Sequence, residues 1–130
     1  MEEQDKERIA RVRDFLCGYQ LCIDMLNLRK YERKRADRFE EIFDGEDILM
    51  GNEAIWRARM HEIGALIDGM RNCREKIILY YHYIRGESIE HAANLLGVSR
   101  RTGYRLHDKG LFMASFLYER MKKTECADWE

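Results

Sequence analysis

The chain has 130 residues, 45% of them apolar and 36% charged, which suits one or two small domains with a packed core under a heavily ionised surface. It has no proline and nine glycines, and no stretch sustains the two-residue alternation of a half-buried strand, so the expected fold class is all-α. The net charge of −1, from 23 basic and 24 acidic residues, excludes a bulk-charge argument for nucleic acid and leaves only local charge to attract phosphates.

The first predicted element is a long helix from Glu2 to about Phe43. Ile9, Val12, Leu16, Tyr19, Ile23 and Leu26 recur at alternating steps of three and four, a heptad seam that Phe15, Cys22 and Met25 widen. Past Leu26 the seam positions become Lys30 and Arg33, so a strict coiled coil stops there, and Gly18 is a weak point within it. A stripe of that size has to be covered. Folding back on the next helix is the favoured cover, and a homodimer through this helix is the alternative. Arg29 to Arg38 carries six basic residues against two acids, a local charge of +4. It reads first as a solvated face with internal pairs from Glu32 and Asp37, and second as a contact to a DNA backbone.

Asp44 to Asn52, DGEDILMGN, is expected to be a loop, because Gly45 and Gly51 punctuate it. A second helix is expected over Glu53 to Met70. Its apolar stripe is Trp56, Met60, Ile63, Ile67 and Met70, joined by Ile55 and Leu66, with Gly64 and Gly69 as interruptions. Asn72 marks the restart of a helix leading into Ile77, Ile78, Tyr80, Tyr81 and Ile84. The tyrosines at 80, 81 and 83 read as core residues with hydroxyls at the rim rather than as a platform for stacked bases.

The most informative stretch is Gly86 to Leu111, which reads as two helices around a sharp turn. Ser88 caps the first, and Ile89, Ala92, Ala93 and Leu96 form its apolar face. Gly97 stands where a helix closes in a left-handed residue, Val98 plugs the corner, and Ser99 caps the second helix. Leu106 and Leu111 turn inward. Arg100, Arg101, Thr102, Tyr104, Arg105, Asp108 and Lys109 remain for the outer face. From Ser99 to Gly110 four basic residues stand against one acid, a local charge of +3. Alanine and glycine at the crossing, followed by arginines at the start of the second helix, are what a helix-turn-helix needs to place a reader in a major groove. The plainer reading is an ordinary helical hairpin with a solvated basic face. The helix then continues from Tyr104 to Met121, with Leu111, Phe112, Phe116 and Leu117 apolar, and Thr124 to Glu130 is expected to fray.

The run ILYYHYIRGESIEHAANLLGVSRRT and the RLHDKGL after it resemble region 4 of bacterial sigma factors, over Arg71 to about Lys123. The sequence looks most similar to small phage or prophage sigma-like regulators, such as the ArpU-like group. The resemblance implies a transcription regulator whose helix-turn-helix binds double-stranded DNA, with RNA polymerase as a further partner. It implies that Arg100, Arg101, Tyr104 and Arg105 face bases or backbone, with Ser99, Thr102 and Lys109 among the DNA-binding residues. Gly103 departs from the pattern, since the family has an apolar or β-branched residue there. Glycine costs about 1 kcal/mol relative to alanine inside a helix. Its presence implies either a loose reader helix or a close approach to its neighbour.

Catalytic chemistry finds no footing. His61, His82, His91 and His107 are scattered without metal-ligand spacing and read as surface or rim residues. Cys17, Cys22, Cys73 and Cys126 form no C-x-x-C pair and read as reduced thiols of a cytosolic protein. No phosphate-cradling glycine loop or nucleophile elbow is present. The N-terminus is charged from residue 2, unlike a signal peptide, and the apolar runs are too short to span a bilayer. No cofactor, metal or enzymatic activity is expected. The expected organisation is a helical hairpin or arm over 1–70, a helix-turn-helix bundle over 71–123 and a tail over 124–130. The expected function is sequence-specific DNA-binding transcription regulation. A phage DNA-packaging adaptor and a module that binds polymerase or a sigma factor are the competing readings.

Overall fold

The computed structural model describes residues 2–39 and 46–127, with side chains described over 2–35 and 53–124. Five α-helices make up this part of the chain: α1 (Glu3–Phe39), α2 (Glu46–Asp68), α3 (Arg74–Leu79), α4 (Ile89–Leu96) and α5 (Arg100–Ala127). A π-helical segment, Tyr80–Ile84, follows α3 without a break. There is no strand among the described residues. The all-α expectation, a long N-terminal helix followed by a helical bundle, is what the chain adopts.

The heptad seam is covered within the chain. Val12 and Leu16 are fully buried, and Ile9 and Tyr19 pack beside them. They meet Ile63, Leu66 and Ile67 of α2 and Leu111 and Ala114 of α5. Burying one such aliphatic side chain is worth about 1.5–3 kcal/mol, so this cluster is the main source of cohesion. It draws on both sides of residue 70, with Leu79 and Tyr83 joining from the second half. The packing on α5 as well as α2 goes beyond the expected hairpin. Arg11 fixes it at the surface by setting Nε and Nη2 at 3.0 and 2.8 Å from one oxygen of Glu119.

Three expected features differ. Residues 46–52 are helical rather than a loop, because α2 already starts at Glu46. Two acids at its start favour a helix N-terminus, and one interior glycine at 51 costs only about 1 kcal/mol against a helix of this length. Residues 124–127, expected to fray, are the last turn of α5, with the Thr124 hydroxyl donating to the Arg120 carbonyl at 3.0 Å. Residues 128–130, Trp129 among them, lie outside the described residues, as do 40–45. Ile55 and Phe116, expected inside, are 62% and 47% exposed. Ile55 lies off the α2 stripe, and Phe116 lies under the Arg8 guanidinium, 4.3 Å from its ring centre.

The basic run of α1 is tied to its neighbours. Arg29 pairs with Glu32 at 3.1 Å and lies over the Trp56 ring. Arg33 Nη2 is 2.7 Å from Glu53 of α2, a buried carboxylate that Arg57 also approaches at 3.6 Å. The Arg33 contact is an ion pair without hydrogen-bond alignment, since that buried nitrogen has no hydrogen-bond acceptor. Side chains beyond residue 35, including Asp37, are outside the described set.

The π-helical segment was not foreseen. Its wider turn sends the Arg85 amide to the Tyr80 carbonyl at 3.1 Å and the Glu87 amide to the Tyr81 carbonyl at 2.9 Å. Gln20 of α1 serves two of the carbonyls that follow: its Nε2 donates to Tyr83 and Ile84 at 3.3 and 2.8 Å. His82 Nδ1 donates to the Glu87 carbonyl at 2.8 Å and holds the loop that enters α4. Tyr83 is buried, and its hydroxyl is not at the rim: it lies 2.7 Å from Nε2 of His107, which is itself buried rather than superficial. Nδ1 of His107 lies 3.2 Å from the Asp108 carboxylate. A neutral ring satisfies both contacts, with Nδ1–H donating to Asp108 and Nε2 accepting from the phenol. Burial pushes the His107 pKa down, against a smaller opposite pull from Asp108.

Candidate nucleic-acid interface

α4 and α5 are joined by a turn of three residues, Gly97 to Ser99, and each boundary follows from local chemistry. The Ser88 side chain accepts from the His91 amide at 3.0 Å, which satisfies one orphan donor at the start of α4. At its end Gly97 takes φ +71°, open to glycine and strained for other residues. The Val98 amide then closes back on the Ala93 carbonyl at 3.0 Å. The Ser99 hydroxyl accepts from the Thr102 amide at 3.2 Å and donates to the Thr102 hydroxyl at 3.0 Å. Behind the turn, Ile78, Ala92 and Leu106 form a second buried cluster with Tyr81, Leu96 and Val98 packed on it.

Gly103 is explained by close approach. A Cβ built there would lie 2.7 Å from the Cβ of Ala93. Unstrained carbon atoms keep about 3.5–4.0 Å apart, so α5 approaches α4 at a distance that no other residue allows. The unusual glycine therefore fixes the crossing of the two helices and thereby the outward face of α5.

On that face the residues expected to bind DNA fall into three groups. Arg101 and Arg105, one turn apart, are exposed and form no ion pair among the described residues. Arg100, Tyr104 and Ser99 are also exposed, but the first two are engaged by Glu90 of α4. Arg100 Nε is 3.3 Å from Glu90 Oε1, and the Tyr104 hydroxyl donates to the same oxygen at 2.5 Å. The Arg100 guanidinium also lies over the Tyr104 ring. That hydrogen bond lowers the Glu90 carboxyl pKa and raises that of the phenol. Thr102 is half-buried within the cap. Lys109 stands apart from the others, 3.6 Å from Glu75 of α3. The Glu75 carboxyl is held below the usual range, first by its own backbone amide and less by Lys109.

Sequence reasoning missed Glu90. Its spacing of ten from Arg100 has meaning only once the turn brings α4 across α5. No group of three or more metal-ligating side chains occurs among the described residues, and no described helix is long and apolar enough to cross a membrane. No family model, no curated protein and no solved structure matches this chain.

Proposed function

We propose that this chain is a sequence-specific DNA-binding transcription regulator of sigma-like type, of phage or prophage association. Its α4–turn–α5 unit acts as a helix-turn-helix, with the start of α5 as the reader in a major groove. The observation that carries the reading is the pair Arg101 and Arg105: exposed, one turn apart on one helix face, and without an ion-pair partner among the described residues. A guanidinium matches guanine O6 and N7 with two parallel hydrogen bonds, which gives an unpaired outward arginine a specific use. Ser99 and Thr102 at the start of α5 present hydroxyls and an amide end where phosphates are favoured. Arg100 and Tyr104 add backbone contacts. Lys109 is also exposed, and its ion pair with Glu75 at 3.6 Å competes with phosphate for it. RNA polymerase is the further partner that the resemblance to sigma region 4 implies.

Selection of bound sequences from random duplex DNA tests the reading. A defined site should emerge, and binding should weaken with salt at about 0.9 log-log unit per phosphate neutralised. Arg101→Ala and Arg105→Ala should each relax preference at one base pair, at a cost of about 1–3 kcal/mol there. Arg100→Ala should weaken all sequences alike. No enrichment, or a salt slope near zero, refutes DNA recognition. Three arginine variants with the parent's base preference refute the assignment of readers.

A further inference from the structure

We infer that Glu90 restrains the affinity of this face: its carboxylate occupies Arg100 and Tyr104 in the free protein, competes with DNA phosphate for them, and so weakens the part of binding that is blind to sequence. The inference rests on the DNA-binding reading above and names how that same surface is restrained.

The geometry is that of an anion site already filled from within. Two groups from successive turns of α5 converge on one oxygen of Glu90: Arg100 Nε as an ion pair at 3.3 Å and the Tyr104 hydroxyl as a hydrogen-bond donor at 2.5 Å. A phosphate oxygen presents the same charge and the same acceptor geometry to the same donors. Exchange is open, because the Glu90 and Arg100 side chains are 40% and 74% exposed. Arg100 therefore gains from a phosphate only the difference between two similar anions. Arg101 and Arg105 meet no such competitor, and they keep the whole of whatever DNA offers. Specificity is a difference of affinities, so a carboxylate that subtracts from a contact made on every duplex lowers all affinities together and leaves base preference to Arg101 and Arg105. Gly103 is part of the arrangement, since its close approach to Ala93 brings Glu90 within reach of α5.

The test is a set of variants measured against two duplexes, the selected site and a scrambled one, by fluorescence anisotropy with far-UV circular dichroism as the control for folding. Glu90→Gln keeps an oxygen for Tyr104 and removes the charge. Glu90→Asp keeps the charge, suits the first turn of α4, and is too short to hold Arg100. Both should tighten the selected and the scrambled duplex alike, by roughly two- to five-fold, the range an exposed ion pair allows. Arg100→Ala should cost more by that same factor in either Glu90 variant than in the parent. An equal Arg100→Ala penalty in all backgrounds would mean that Glu90 only repels phosphate, and overturns the inference. Weaker binding by both variants would mean that Glu90 holds Arg100 ready for DNA, and overturns it too. A parent that binds no duplex fails the DNA-binding reading, and this inference falls with it. A parent that binds its selected site without coupling between residues 90 and 100 fails this inference alone.

Discussion

Gly103 offers the most direct test of the crossing between α4 and α5. By helix propensity alone, Gly103→Ala should stabilise the protein by about 1 kcal/mol. The structure predicts the opposite sign. The new methyl would fall 2.7 Å from the Cβ of Ala93, an atom with no rotatable bond of its own. Relief requires the two backbones to part by about 1 Å, and overpacking of this kind costs roughly 1–3 kcal/mol. Because no side chain can swing aside, the upper half of that range applies, and the net change is a loss of about 1–2 kcal/mol. Gly64 of α2 supplies the internal control: it is also inside a helix, and a Cβ there meets nothing within 4 Å. Gly64→Ala should therefore stabilise by about 0.5–1 kcal/mol. Removing the opposing methyl by Ala93→Gly in the Gly103→Ala background should relieve the clash, so that the two substitutions couple by about 1–3 kcal/mol beyond additivity. Urea unfolding followed by circular dichroism measures all four variants. Gly103→Ala as stabilising as Gly64→Ala, or additivity with Ala93→Gly, would refute the close approach.

Other outcomes follow from the buried polar contacts. Gln20→Leu leaves the Tyr83 and Ile84 carbonyls without their side-chain donor and should destabilise by about 1–3 kcal/mol, with the faster amide exchange concentrated in residues 83–88. His107 has its pKa lowered in the folded state, so the unfolded chain takes up the proton first as pH falls. Its contribution is complete above the unfolded value of about 6.5 and is lost as pH drops towards the folded value. Thermal midpoints of the parent should fall through that window, and those of His107→Gln should stay flatter; parallel curves would show that His107 is not the group responsible. Glu53→Ala leaves the buried Nη2 of Arg33 without its ion-pair partner and should cost more than the paired change of Arg33→Met with Glu53→Leu, which should be near neutral. Equal losses from both would assign the effect to packing rather than charge.

What could be read from the sequence was what neighbours along the chain decide. Ser88, Gly97 and Ser99 mark their helix boundaries because caps act within one turn, and all three behave as expected. The Val12 and Leu16 seam was legible from periodicity, and so was its need for cover. That α5 as well as α2 supplies the cover was not, since nothing local encodes which face meets which. Gly51 misled because an interior glycine and a loop glycine look alike in sequence. The π-helical segment carries no residue signature, and the side chain that serves its carbonyls lies 63 and 64 positions away. Gly103 was visible as an anomaly, and its meaning waited on Ala93 across the turn. Arg101 and Arg105 were named as outward-facing and are exposed; Arg100 was named with them, but Glu90 engages it.

The contacts between the first and last helices set an order of events during synthesis. Arg8 reaches Ser115 and Arg11 reaches Glu119 across separations of 107 and 108 residues. At ribosomal speeds of about 5–20 residues per second, α1 waits on the order of ten seconds for α5 to be made. During that interval α2 can shelter the Ile63 side of Val12 and Leu16, while the side destined for Leu111 and Ala114 stays uncovered. A nascent chain paused before residue 111 is thus a sticky intermediate, suited to capture by a chaperone or by another copy emerging nearby. The start of α5, with its arginines, has its own seat in the Ile78, Ala92 and Leu106 cluster and the Gly103–Ala93 crossing, all made before residue 111. The face proposed to meet DNA can therefore form before the far end of its own helix has docked on α1.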